Sequence, residues 1–162
     1  MFIQFTIFPS LLTNSDIEYI RLKHHYNWMT QKIFNSLYYW CNIRNLDIDE
    51  IAGLIQSESR GNSRARSNKG AIGLLQVMPF HLPSNSLLLY VIDKNIEIGT
   101  KYYKWCKNFC KGNINCSLKT YNAGPMAKEY KNFSYIQRIK KDTSFTRDCK
   151  KKFYNYLRSK SK

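Results

Sequence analysis

The sequence predicts a mainly α fold built as a single domain. Apolar residues recur at helical spacing over most of the chain, and no alternating strand pattern runs for more than a few residues. The length of 162 residues suits one domain, and a hydrophobic share of 43% is enough to bury a core. The β structure that we expect is at most a very small element near residues 72–77.

Helical signals begin early in the chain. Residues 13–16 form a helix start signal, and apolar residues then follow at helical spacing over 17–40. Asp47 can cap the next helix, with Glu50 at the capping-box position. Gly61 and the asparagine after it are typical of the end of that helix.

The second half continues the helical pattern after a loop region. Residues 62–70 predict a loop, and the apolar segment 71–78 ends at Pro79. We expect helices over about 95–109 and 116–122, followed by two more helices, the last over about 146–159. The corresponding division of the chain is an N-terminal helical extension (1–45), a central domain (46–142) and a basic C-terminal helix and tail (143–162).

The net charge is +15, with 26 basic and 11 acidic side chains. Such an excess attracts polyanions, among them nucleic acid, anionic wall polymers and anionic membranes. Zinc-finger spacing, RNP-type motifs and Gly-Xaa-Xaa-Gly signatures are absent from the sequence, so we expect no nucleic-acid partner. A run of basic residues is most often just a solvated face.

Five cysteines leave the redox state open. None is paired as Cys-Xaa-Xaa-Cys, so we expect no structural zinc, and no cofactor is indicated. The four in the second half allow one or two disulfides, and buried free thiols are the alternative. The apolar N-terminus, residues 1–12, is weak as a signal peptide and too short to span a bilayer, so the export route is unclear.

One carboxyl group stands out. Glu58 falls in the last turn of its predicted helix, and no other acidic residue follows until Asp93. The helix dipole and apolar neighbours would raise its pKa, which suits a general acid. Four basic residues of the following loop would lower the pKa if they lay close: Arg60, Arg64, Arg66 and Lys69. Taken alone, such a glutamate is more often a surface residue paired with a nearby arginine.

Three separated blocks of the sequence belong together. The first is Glu58-Ser59-Arg60-Gly61-Asn62, continuing through Ala65 and Ser67 to Gly70-Ala71-Ile72-Gly73-Leu74-Leu75-Gln76-Val77-Met78-Pro79. The second is Asn95-Ile96-Glu97-Ile98-Gly99 with Tyr102-Tyr103, and the third is Tyr121-Asn122-Ala123-Gly124-Pro125. Together the three blocks resemble the soluble lytic transglycosylase family, in its order and at close to its spacing. The resemblance implies a lysozyme-like fold, with residues 46–142 as the catalytic domain.

The resemblance also implies a set of site residues. Glu58 would be catalytic, and the substrate contacts would come from Ser67, Gln76, Met78, Tyr121, Asn122 and, on a looser match, Tyr135. No metal site is implied. The sequence departs from the family pattern at Ser63, Leu75, His81 and Lys131, which puts details of substrate contact in doubt. Asn95 and Gly99 look structural, and we assign them no chemistry.

The activity implied by the resemblance is cleavage of peptidoglycan between N-acetylmuramic acid and N-acetylglucosamine, giving 1,6-anhydro ends. One carboxyl group suffices for this reaction, whereas ordinary glycosidases use two. A lysozyme-type hydrolase would need a second acid from Asp93, Glu97, Glu129 or a more distant position. A third hypothesis is an inactive cationic wall-binding protein.

The expected partners follow from the implied activity. They are glycan strands, with anionic wall polymers or a membrane surface as candidates for the basic tail. We expect a monomer that acts at the cell wall, in the periplasm or outside the cell.

Overall fold

The computed structural model describes residues 12–127 and 130–160, with the side chains of 157 and 160 left aside. Six α-helices make up this part of the chain. They are α1 (Asn14–His25), α2 (Gln31–Arg44), α3 (Ile48–Ser59), α4 (Ile92–Phe109), α5 (Ile114–Ala123) and α6 (Phe133–Lys160). Two short 3-10 helices, Pro79–His81 and Ser86–Tyr90, connect α3 to α4. The mainly α prediction is confirmed.

The β structure is limited to isolated bridges in the part of the chain that the structure describes. Ile72 pairs antiparallel with Arg66 on one side and with Val77 on the other. This is the very small element expected near residues 72–77. It folds the loop after α3 into a compact turn rather than a sheet.

The helices pack around one core. α3 packs mainly against α6, α2 against α4, and α4 against α5. Apolar residues of α1 and α2, among them Leu22 and Phe34, belong to the same buried cluster as Ile51 and Leu54 of α3. The division into three segments at residues 45 and 142 stays a prediction.

The prediction of one continuous helical segment over 17–40 is wrong. The chain turns between α1 and α2, where Tyr26 ends α1 and the Thr30 side chain caps α2 by accepting a hydrogen bond from Ile33 N at 3.2 Å. Tyr26 and Met29, within and beside this turn, are almost completely buried. The turn therefore places Tyr26 and Met29 in the core, which one straight helix over residues 17–40 would not do.

The prediction of two separate C-terminal helices is also wrong, because α6 is continuous. Thr143 and Thr146 do not interrupt it, since their hydroxyls donate to the carbonyls of Ile139 at 2.8 Å and Asp142 at 3.1 Å. No glycine or proline occurs within Phe133–Lys160 to stop the helix.

Only half of the expected capping box at α3 forms. Asp47 Oδ1 accepts hydrogen bonds from Asp49 N at 2.8 Å and Glu50 N at 3.4 Å. The Glu50 side chain turns away from the helix start. It accepts from the Tyr103 hydroxyl and from Lys107 Nζ at 3.0 Å, which ties α3 to α4.

Asn95 fixes the loop that follows α3. Its side chain is buried, donates to the carbonyls of Ile72 at 2.8 Å and Leu89 at 2.7 Å, and accepts from Leu75 N at 2.8 Å. Gly73 lies directly against it, with φ +76°, and a Cβ there would come within 2.3 Å of the Asn95 amide. Glycine is therefore required, and Asn95 has the structural role that the sequence indicates.

Candidate active site

Glu58 extends the buried face of α3. Ile51, Leu54 and Ile55 are completely buried, and Glu58 follows them at the i+7, i+4 and i+3 positions of the same helix face. Its side chain is consequently half-buried at the rim of the core. The helix ends at the next residue, Ser59, and its C-cap Arg60 has a left-handed backbone conformation.

The end of α3 is held against the following loop. Ser59 Oγ donates to Leu74 O at 2.8 Å and accepts from Gly61 N at 3.2 Å. Gly61 has φ +77°, and a Cβ there would come within 2.2 Å of the Trp28 ring. These contacts determine where the chain leaves α3 and keep Glu58 next to the loop of residues 71–78.

Burial raises the pKa of Glu58 from its ordinary 4.5 to about 7. Two groups of α6 oppose this: the Tyr135 hydroxyl donates to Glu58 Oε1 at 2.5 Å, and the positive charge of Arg138 also lowers the pKa. Burial outweighs both. The basic residues of the loop after α3 are not among the groups that act on Glu58. Near neutral pH the carboxyl group is therefore divided between its acid and its carboxylate.

Tyr121, on α5, adjoins Glu58 and fixes the loop. Its hydroxyl donates to Leu75 O at 2.7 Å. Burial raises its pKa well above 10, and the charge of Glu58 adds to this effect. Tyr135 is affected in the same way, by burial first and then by Glu58. Both phenols therefore stay protonated near neutral pH and remain hydrogen-bond donors beside the carboxyl group.

Gln76 has a left-handed backbone conformation at φ 45°. Its Nε2 donates to Gly73 O at 2.9 Å and Ala65 O at 3.4 Å, so this amide nitrogen stabilises the loop. Asn122, by contrast, is exposed at the end of α5, and its Oδ1 accepts from the Tyr130 hydroxyl at 3.3 Å.

A cleft of about 240 Å³ lies beside these residues. It is lined by Gln76, Val77, Met78, Phe80, His81, Tyr102, Tyr121, Asn122, Ala123 and Gly124. Four of the predicted substrate-binding residues therefore line one cleft: Gln76, Met78, Tyr121 and Asn122. Tyr135 lies apart from this lining but is bonded to Glu58.

Ser67 is not brought into the cleft. Its hydroxyl accepts from Ala71 N at 3.0 Å, and its own backbone N–H donates to Ala71 O at 2.9 Å. These bonds close the loop between α3 and the apolar segment. A substrate contact by Ser67 stays a prediction.

Larger surface depressions lie elsewhere and do not match the chemistry. One of about 700 Å³ includes Glu18, Asp47 and Glu50 in its lining. Each of these carboxylates is paired with a basic side chain: Lys150, Arg147 and Lys107 respectively. We assign the site to the smaller cleft because its lining residue Tyr121 lies close enough to Glu58 for the charge of that carboxyl group to raise the pKa of the phenol. Glu58 itself is half-buried and is not one of the lining residues.

The candidates for a second acid are bound away from the cleft. Asp93 Oδ1 accepts from Ser36 Oγ at 2.7 Å and Trp40 Nε1 at 3.0 Å. Glu97 pairs with Lys94 at 2.5 Å. Glu129 lies outside the described residues. Among residues 12–127 and 130–160, neither named candidate forms a hydrogen bond or ion pair with a residue of the cleft.

Sequence reasoning missed two residues of this neighbourhood. Arg138 follows Tyr135 by three positions on α6, so both lie on one helix face, and that spacing is a signal that could have found it. Tyr130 carries no such signal. It reaches the site through its bond to Asn122, and Glu58 contributes to the rise of its pKa.

The sequence is similar to known proteins over much of its length. The model of the Transglycosylase SLT domain matches residues 38–143. A protein named transglycosylase, from Enterobacteria phage PRD1, is 37% identical over 82 residues, which are 49% of this chain and 30% of that protein. The chain thus spans less than a third of this relative.

The fold agrees with a solved structure as well. An X-ray structure of an inactive mutant of the lytic transglycosylase Slt from Pseudomonas aeruginosa matches with a TM-score of 0.53 at 24% identity. The match covers 71% of this chain and 22% of that one, and at this identity it supports the fold alone. The predicted lysozyme-like fold is confirmed. Because the family model covers well over half of the sequence, this chain belongs to the transglycosylase SLT domain family.

Proposed function

We propose that this protein is a lytic transglycosylase that cleaves the β-1,4 bond between N-acetylmuramic acid and N-acetylglucosamine in peptidoglycan. The observation that carries the proposal is Glu58: a half-buried carboxyl group with a pKa of about 7, beside a cleft whose lining includes Tyr121 and Asn122. A general acid works best when its pKa lies near the operating pH. Membership of the family supports the same activity.

Glu58 performs two proton transfers in this scheme. In its acid form it protonates the glycosidic oxygen, and the bond from that oxygen to C1 of the muramoyl sugar breaks. The N-acetyl oxygen of the same sugar supports the positive charge that develops at C1. Glu58, now a carboxylate, takes the proton of the C6 hydroxyl while that oxygen attacks C1. The product is a 1,6-anhydro end, and no water is consumed.

The surroundings suit both forms of the acid. The Tyr135 hydroxyl donates to Glu58 and stabilises the carboxylate that the first step produces, whereas burial favours the acid that begins the next cycle. Gln76, Met78, Tyr121 and Asn122 are the residues that we place against the sugars. Asn122 is exposed at the cleft, so its amide can bind the N-acetyl group of the substrate.

The experiment is cleavage of purified sacculi by the Glu58→Gln variant. Glutamine keeps the size and the acceptor oxygen of the side chain but cannot transfer a proton. We expect release of soluble fragments to fall at least about a hundredfold. Glu97→Gln is the matched control, because its carboxylate pairs with Lys94 outside the cleft. Equal activity of the two variants would contradict the assignment of Glu58.

The basic C-terminal region keeps a secondary role in this proposal. Arg147 and Lys150 of α6 pair with Asp47 at 2.5 Å and Glu18 at 2.7 Å, so part of its charge stabilises the fold. Lys151 and Lys152 are exposed and can meet an anionic wall polymer. Binding to sacculi that weakens with added salt would support this contact, and salt-independent binding would count against it.

A further inference from the structure

A row of aromatic side chains leads out of the cleft. Neighbouring ring centroids lie 4.3 Å, 4.4 Å, 5.7 Å and 5.4 Å apart along it. We call this set the aromatic row, and its members in order are Phe80, His81, Tyr102, Trp105 and Phe109.

The last three members of the aromatic row lie on the exposed face of α4. Tyr102, Trp105 and Phe109 follow one another at i, i+3 and i+7, the spacing that aligns side chains on one helix face. The neighbouring Tyr103 and Cys106 point into the core and are completely buried. Trp105 remains 45% exposed and Phe109 54% exposed. One face of α4 is therefore buried in the core, and another face of the same helix is exposed and carries aromatic side chains.

Exposed aromatic side chains that adjoin one another are uncommon on a soluble surface unless they bind something. Single exposed rings need no such explanation. Here the rings contact each other, and the planes of Tyr102 and Trp105 are within 11° of parallel. Those of Trp105 and Phe109 are within 21°. The result is a continuous apolar strip rather than scattered side chains.

The inner end of the aromatic row belongs to the cleft. Phe80, His81 and Tyr102 are among its lining residues. The Tyr102 ring lies 5.2 Å from that of Tyr121, the cleft residue whose ionisation Glu58 opposes. The strip therefore begins at the candidate catalytic cleft and continues over α4 without interruption.

We propose that the aromatic row binds further sugar rings of the same glycan strand, beyond the sugars held next to Glu58. This inference rests on the proposed function, because it takes a polymeric glycan as the occupant of the cleft. A strand leaving the cleft on this side passes over the row. Each sugar has an apolar face of C–H groups that packs on an aromatic surface, while its hydroxyls stay in water.

His81 adds hydrogen-bonding groups to the aromatic row. Burial lowers the pKa of its imidazole, so the ring is neutral near pH 7. It then offers one N–H donor and one acceptor nitrogen to sugar hydroxyls. The sequence departs from the family pattern at this position.

The test compares long with short substrates. The variant Trp105→Ala/Phe109→Ala removes the two rings of the aromatic row that do not line the cleft. The cleft lining itself is left unchanged. With long, peptide-free glycan strands we expect kcat/KM to fall about tenfold, which corresponds to roughly 1.4 kcal/mol. With short oligomers that end before Trp105 we expect a loss of less than about twofold. Phe145→Ala is the matched control, since Phe145 is 55% exposed and lies outside the row.

The outcomes separate the two proposals. Equal losses on long and short strands, or no loss on either, would overturn the role of the aromatic row. If the unmodified protein cleaves no glycan, the proposed function fails by itself. The row is then tested by sedimentation of the protein with long strands, and retained binding after the double substitution would contradict it.

A membrane surface is the competing occupant. Vesicles containing phosphatidylglycerol provide the probe, with the same double variant and the same control. Loss of vesicle binding together with unchanged strand binding would show that the row binds lipid rather than sugar. Loss of strand binding without an effect on vesicles is the result we expect.

Discussion

Replacing Glu58 by glutamine should stabilise the folded protein at pH 8 and leave its stability nearly unchanged at pH 4. The reason is that the fold raises the pKa of this carboxyl group from 4.5 to about 7. A raised pKa means that the folded protein holds the proton more tightly than the unfolded chain does. Its favourable contribution is complete below about pH 4.5 and is lost as the pH rises through 7. Glutamine carries no charge at any pH, so the variant does not lose stability at this position as the pH rises through 7.

The magnitude follows from the two pKa values. Each pKa unit corresponds to about 1.4 kcal/mol, so the rise from 4.5 to about 7 amounts to roughly 3 kcal/mol. Because the side chain is only half-buried, solvent screening reduces this, and we expect about 2 kcal/mol at pH 8. For a protein of this size that raises Tm by roughly 4–8 °C. The Tyr135 hydroxyl can still donate to the amide oxygen of the glutamine.

The assay is urea unfolding of both proteins between pH 4 and pH 8, followed by circular dichroism. Comparison at each pH cancels the contributions of all other titrating groups. Glu97→Gln serves as the control and should show no pH-dependent gain, since its carboxylate pairs with Lys94 at the surface of α4. The reasoning is refuted if the Glu58→Gln variant is no more stable than the unmodified protein at pH 8, or if the difference does not depend on pH.

The remaining predictions concern the acid and the scaffold around it. Tyr135→Phe removes a hydrogen bond that lowers the pKa of Glu58, the proposed general acid, so the alkaline limb of the pH–rate profile should move up by about one pH unit. An unmoved limb would contradict this role. Asn95→Ala leaves three backbone groups without their partner and should cost about 3–5 kcal/mol by urea unfolding. The exposed Asn108→Ala should cost less than about 0.5 kcal/mol, and similar losses in both would refute the argument. Reducing the disulfide between Cys110 and Cys116 opens a short loop and should lower stability by about 2 kcal/mol. A Tm that is the same with and without reductant would exclude that contribution.

The position of Glu58, the proposed general acid, at the rim of the core could be predicted from the sequence because its signal is local. Glu58 continues the apolar face of its own helix, and the matching blocks around Gln76 and Tyr121 supply neighbours that the fold brings together. Tyr135 rests on a looser match, yet it makes the direct bond to Glu58. Its position depends on how α6 packs on α3, and no local pattern specifies that packing.

The charge acting on Glu58 could not be predicted for the same reason. The loop arginines are near Glu58 in sequence, but Gly61 and Ser59 direct the chain away from it, and Arg138 of α6 acts instead. Proximity along the chain is a poor guide when a helix ends in a left-handed residue, because the backbone reverses direction there. Burial, and not the charge of the loop arginines, therefore determines the direction in which the pKa of Glu58 shifts.

The misplaced helix boundaries have a comparable cause. The spacing of apolar residues over 17–40 is helical throughout, so it does not reveal the turn at which Tyr26 and Met29 enter the core. Conversely, Thr143 and Thr146 are weak helix formers in isolation, but their hydroxyls bond within α6 and the helix continues. Tertiary packing overrides local preference in both places.

The most direct test of the central claim is the product of peptidoglycan digestion in oxygen-18-labelled water. Cleavage by Glu58 alone, with the C6 hydroxyl as nucleophile, predicts muropeptides with 1,6-anhydro ends that are one water lighter than reducing ends and carry no label. The Glu58→Gln variant should yield almost none. New reducing ends that contain oxygen-18 would contradict the account, because they would show that a water molecule, and not the C6 hydroxyl, attacks C1.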